Sequence, residues 1–152
     1  MVQSYQALVT PEMSKHFNAN EVVMYAERMY KLRAVGQSQQ DASDQRVYVQ
    51  TTDNIYTFKL TRENQWKQTR FYQIKNVGAI LLSSENEHDF MLFFFNSDDL
   101  HMHSSSRDEL LNLLTLRFLI FNRNKTLKIY SVSTADLIKY HINNDRAQKT
   151  RQ

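Results

Sequence analysis

Residues 106–121, SRDELLNLLTLRFLIF, constrain this chain more than any other stretch. Leu110, Leu113, Leu114, Phe118 and Phe121 recur at i, i+3, i+4, i+8 and i+11, the spacing of one α-helical face. Leu111, Leu116, Leu119 and Ile120 widen that face, so the pattern predicts a helix buried around most of its girth. Ser106 and Glu109 have the S-x-x-E spacing of a capping box. Asp108 and Glu109 fall in the first turn and Arg117 nearer the end, as the helix dipole prefers. Such a helix must cover apolar surface, and what precedes it reads almost entirely as strand. The expected partner is a curved sheet.

Residues 46–51, RVYVQT, put Val47 and Val49 on one face and Tyr48 on the other. A turn at Thr52-Asp53-Asn54, where Asn54 tolerates positive φ, returns the chain as 55–60, IYTFKL. Residues 67–74, 77–82, 90–95 and 100–103 read as further strands. Gly78 marks a corner, and FMLFFF at 90–95 is the run expected to be most buried. Residues 21–32, EVVMYAERMYKL, read as a long strand with a kink or bulge near Arg28, a helix being the alternative. The polar 34–43 stretch carries Gly36 and reads as a loop. Residues 125–132 form a strand after the helix, and 133–142 either a strand or a short helix capped by Ser133 or Thr134. At the front, Thr10-Pro11-Glu12 starts a short helix whose Met13 and Phe17 lean on the sheet. The expected architecture is mainly β with a capping helix (α+β). It is a pleckstrin-homology-like, partly open barrel of about seven strands closed by a C-terminal helix, with a short N-terminal helix. Residues 1–20 are a lead-in, 21–142 the domain and 143–152 a basic tail.

Composition removes several functional classes. With no cysteine there is no disulfide framework and no thiolate chemistry, and a reducing compartment is the simplest expectation. The first residues lack the charged and apolar regions of a secretory signal, and no run approaches the ~20 apolar residues of a membrane span. Two glycines exclude a glycine-rich phosphate cradle. A net charge of +3 is too mild for a nucleic-acid binder. That charge is uneven, with eight Lys/Arg and two acids in residues 117–152, so the C-terminal flank either meets an anionic surface or is a solvated tail.

Five segments resemble the tail-homology-one domain of class I myosins, a lipid-binding module with a pleckstrin-homology core. EVVMYAERMYKL resembles its first strand, ending in a lysine, and RVYVQTTDNIYTFKL resembles its first hairpin. IKNVGAILLSSENEHDFMLFF resembles the segment leading into its apolar strand, and DELLNLLTLRF with KTLKIYSV resembles its closing helix and following strand. The resemblance implies that Lys31, closing the first strand, and Arg46, opening the second, hold a phosphoinositide head group. Two features depart from that pattern. Asp44 stands two before Arg46 where a basic residue is frequent, and the 34–43 loop has no lysine or arginine. An acid in the pocket opposes a phosphate ligand.

Lys31, Arg33 and Arg46 are therefore either a small anion site, which Lys67 and Arg70 can join, or exposed strand ends. Trp66 either presents a partner surface or is partly buried at the barrel edge, and Arg146, Lys149 and Arg151 of the tail are further partner-surface candidates. His101 and His103 share a strand face, but no third ligand has metal-site spacing, so surface histidines on an edge strand are expected. Ser104, Ser105 and Ser106 near Asp108 lack a base and an oxyanion hole. No catalytic residue, metal or cofactor is expected. The expected function is a non-catalytic protein-binding scaffold or adaptor in a cytoskeletal assembly, actin-linked or ciliary (axonemal). The alternative is a phosphoinositide- or acidic-membrane-binding module. The corresponding locations are the cytoplasm, at the cytoskeleton or cilium, or the membrane periphery.

Overall fold

Among the described residues seven strands precede the long helix and one follows it. They are β1 (Val23–Lys31), β2 (Gln45–Thr51), β3 (Asn54–Leu60), β4 (Trp66–Gln73), β5 (Val77–Ser83), β6 (Asp89–Phe94), β7 (Leu100–His103) and β8 (Lys128–Val132). Two α-helices pack on the sheet, α1 (Pro11–Ser14) and α2 (Arg107–Phe121), and residues 134–137 are helical as well. All strands join one sheet in the order β4-β3-β2-β1-β7-β6-β5-β8, with β4 and β8 as its two edges, so the barrel is unclosed. Neighbours are antiparallel except β5 and β8, which the α2 crossover makes parallel. The computed structural model describes residues 8–32 and 42–137. Arg33, residues 34–41, residues 138–142 and the tail with Arg146, Lys149 and Arg151 lie outside the described residues.

Both faces of the first strands are buried, because each faces a different apolar body. Tyr25, Met29, Tyr48, Ile55 and Phe94 face the main core, where α2 contributes Leu110, Leu111, Leu114 and Phe118. Ala26, Val47, Val49 and Phe58 face outward and are covered by Met13 of α1, with Phe17 and Trp66 packed alongside. Thr10 caps α1, its Oγ1 accepting from the Met13 N–H at 3.2 Å, and Pro11 fills the first turn.

Residues 21–32 contain a strand rather than a helix, and its irregularity lies between Val23 and Tyr25, not near Arg28. From Tyr25 onward the alternation is regular. It only looks broken in the sequence because Glu27, a polar residue, holds a position between inward-facing Tyr25 and Met29. Asn54 does not take positive φ, and among the described non-glycine residues only Asn64 does, at 59°. The hairpin closes instead on Thr51, whose Oγ1 accepts from the N–H groups of Asp53 at 3.2 Å and Asn54 at 3.0 Å. The apolar run of β6 is buried apart from half-buried Phe93. Phe95 lies beyond the strand and is 71% exposed.

The largest departure concerns α2. Leu116, Leu119, Ile120 and Phe121 are exposed, Leu116 at 61% and Ile120 at 53%. One sheet covers one side of a helix, and nine apolar residues exceed what that side can hold. The capping box is also not formed. Ser106 makes no side-chain cap bond; its N–H donates to Ser104 Oγ at 3.1 Å. Glu27 of β1 holds the turn just before the helix, accepting from Ser104 Oγ at 2.8 Å, from the Ser105 N–H at 3.1 Å and from Ser105 Oγ at 3.2 Å. Tyr25 also donates its hydroxyl to Glu27. Burial first, then the Glu27 bond and charge, push the Tyr25 phenol well above its ordinary value.

Candidate functional site

The end of β1, the start of β2 and the middle of β4 meet at a pocket of about 130 Å³, roofed by the β6–β7 turn. Lys31, Arg46 and Arg70 line it, so two of the three cations expected at the strand ends do converge there, with Arg70 as the third. Arg33 lies outside the described residues, and Lys67, exposed on β4, does not reach the pocket.

Acids answer these cations. Asp98 and Asp99 line the same pocket, and Asp98 Oδ2 lies 3.0 Å from Arg70 Nη1. Arg46 Nη1 donates to the carbonyls of Ser43 at 2.7 Å and Gln45 at 2.9 Å, so its fork is partly spent on the backbone. Burial holds the Arg46 guanidinium below its ordinary value; buried Asp44 works against that shift and Arg70 adds to it. The hydroxyls of Thr57 and Thr69, also in the lining, bond each other at 2.8 Å. A phosphate entering would have to displace Asp98 and re-aim Arg46. The space is also below the ~300–1,000 Å³ usual for ligand sites.

His101 and His103 are not surface histidines on an edge strand. β7 lies between β1 and β6, and His101 is only 4% exposed. His103 Nδ1 lies 2.7 Å from Asp89 Oδ1, with the His88 ring 5.1 Å away. Among the described residues no group of three or more metal-ligating side chains forms. Trp66 is half-buried against the α1 cluster, and its backbone N–H donates to Glu12 Oε1 at 3.0 Å.

A second surface was not foreseen. Leu116, Leu119 and Ile120 form a stripe at i, i+3 and i+4 on the outer side of α2. Beside them Arg117 donates from Nε to the Thr52 carbonyl at 2.7 Å and lies over the Phe121 ring at 5.5 Å. This ties the helix to the β2–β3 turn and leaves the stripe facing outward. No helix among the described residues is long and apolar enough to cross a membrane.

This architecture is a pleckstrin-homology-like fold, and solved structures share it. The DH/PH fragment of PDZRHOGEF, solved in complex with human RhoA, superposes with a TM-score of 0.53 at 7% identity, over 82% of this chain and 38% of that one. The N-terminally truncated linker-DH/PH domains of p115-RhoGEF give 0.50 at 11% identity, over 82% of this chain and 40% of that one. This chain therefore spans about two fifths of those structures. The hSac2 domain from human phosphoinositide phosphatase Sac2 gives 0.54 at 12% identity, over 87% and 85% of the two chains. No protein-family model and no curated protein matches the chain. The likeness extends to the fold, and the finer myosin-tail resemblance rests on the sequence segments alone.

Proposed function

We propose that this chain is a non-catalytic protein-binding module, a scaffold or adaptor. The observation that carries this reading is the apolar stripe of Leu116, Leu119 and Ile120, which the fold positions and leaves in water. One neighbour of the same fold was solved with a protein, RhoA, bound. The serines before α2, the one place where a nucleophile was considered, are bound up with Glu27 and the turn. The cytoskeletal setting, actin-linked or ciliary, follows from the myosin-tail resemblance. A second reading, phosphoinositide binding, has one observation in its favour, the convergence of Lys31, Arg46 and Arg70. Asp98, Asp44 and the small volume weigh against it.

The test is affinity capture of the full chain under native conditions, comparing wild type with Leu119→Asp/Ile120→Asp. Both positions are exposed, so the variant keeps its fold. A protein partner retained by wild type and lost by the variant is the expected result. Capture of no protein, or of the same proteins by both, would overturn the reading.

A further inference from the structure

A groove of about 510 Å³ opens at the C-terminal end of α2, where the turn before β5, the end of β6 and the α2–β8 connection meet. Its cations are Lys75, Lys125 and Lys128, and its apolar lining includes Phe95, Phe118 and Gly78. Among the described residues no acidic side chain lines it, and none of the three lysines has an ion pair. The contrast with the smaller pocket is direct: there each arginine faces an acid, whereas here no described acid answers the positive charge.

Phe95 is exposed but held. Its ring meets Phe93 edge-on at 5.3 Å and 87°. It also lies on Gly78, where a Cβ would come within 2.8 Å of Phe95 Cε2. An aromatic fixed in advance loses little freedom on binding. The rim is fixed too: Asn122 Nδ2 donates to the Lys75 carbonyl at 3.3 Å, and the Lys125 N–H donates to the Asn122 carbonyl at 3.0 Å. Three flexible ammonium groups around an apolar wall suit a ligand with dispersed carboxylates and one apolar anchor. A concave site of this size receives a chain segment, whereas a bilayer presents a flat surface.

We propose that this groove binds an acidic peptide segment of a protein partner. One apolar side chain lies against Phe95 and Phe118, and flanking carboxylates meet Lys75, Lys125 and Lys128. The proposal rests on the protein-binding reading and adds the chemistry of the partner.

The experiment is selection from a displayed random peptide library against the full chain, followed by fluorescence anisotropy of the enriched peptides. The expected peptides are rich in Asp and Glu around a single apolar residue. Their affinity should fall roughly tenfold or more in Lys125→Glu/Lys128→Glu and in Phe95→Ser, both checked by thermal melting to be folded, and stay unchanged in Arg62→Glu, which reverses an exposed cation outside both pockets. Peptides without acidic enrichment, or binding that survives both variants, would overturn the proposal. Flotation of phosphatidylserine vesicles by wild type but not by Lys125→Glu/Lys128→Glu, with no peptide selected, would assign the groove to a membrane instead. If native capture of a protein persists in Lys125→Glu/Lys128→Glu, the groove assignment fails while the protein-binding reading stands. If no protein is captured by any form, that reading itself fails.

Discussion

Asp98 Oδ2 lies 3.0 Å from Arg70 Nη1 at the mouth of the pocket that Lys31 and Arg46 also line. The pair is half-exposed, so it adds little to stability. Its effect is local: it cancels one of three cations where an anion would enter. Asp98→Asn should therefore raise binding to phosphatidylserine vesicles several-fold at low ionic strength. Cosedimentation checks this, and the gain should vanish as salt brings the Debye length well below ~10 Å.

Glu27 accepts three hydrogen bonds from Ser104 and Ser105 in the turn before α2, so Glu27→Ala should cost about 2 kcal/mol, the scale of hydrogen bonds to a charged group. Ser106→Ala should cost well under the ~1 kcal/mol of a working N-cap, since Ser106 makes no side-chain cap bond. Thermal melting of the two variants ranks them. A larger loss for Ser106→Ala would restore the capping box.

The two sides of α2 should respond oppositely to the same change. Leu114 is fully buried in the main core. Leu114→Asp should unfold the domain, because an unpaired buried carboxylate consumes most of a ~5–15 kcal/mol margin. Ile120→Asp should melt close to wild type. Circular dichroism melts of both decide it.

These contrasts show which parts of the molecule could be read in advance. The strands and the helix were legible because their apolar periods are local. Thr10 as a cap was legible from its local spacing before Pro11, whereas Gly78 lies within β5 at an irregularity between Val77 and Ala79 rather than at a corner. The anchor of the turn before α2 was not: Glu27 lies 78 positions before Ser105, and a carboxylate within a strand looks like a break in the pattern. The exposed stripe was hidden because nine apolar residues wrap the helix and sequence cannot say which side the sheet takes. Lys31 and Arg46 were legible as strand ends. Asp98 was not legible as the partner of Arg70, since the two come from separate elements. The lysines of the larger groove come from the turn before β5, the α2–β8 connection and the start of β8, and no spacing links Lys75 to Lys125 and Lys128. His101 was misplaced because a four-residue strand does not reveal whether it is interior or edge.

Gly78 and Phe95 should be energetically coupled. Gly78→Ala pushes a methyl into the Phe95 and Phe93 rings and should cost about 1–3 kcal/mol through overpacking. In a Phe95→Ala background the cost should shrink, because one of the two rings is gone. A double-mutant cycle by chemical denaturation measures the coupling. Additivity would mean that the ring does not rest on Gly78.

The choice between a protein and a lipid ligand is tested most directly by flotation with vesicles carrying a series of phosphoinositide head groups at physiological salt. Wild type is compared with Lys31→Glu/Arg46→Glu. The expected result is weak binding by wild type, no preference among head groups and little change in the variant, because Asp44 and Asp98 already oppose an anion at that pocket. Head-group-specific, micromolar binding that the double reversal abolishes would contradict it and make the chain a membrane module.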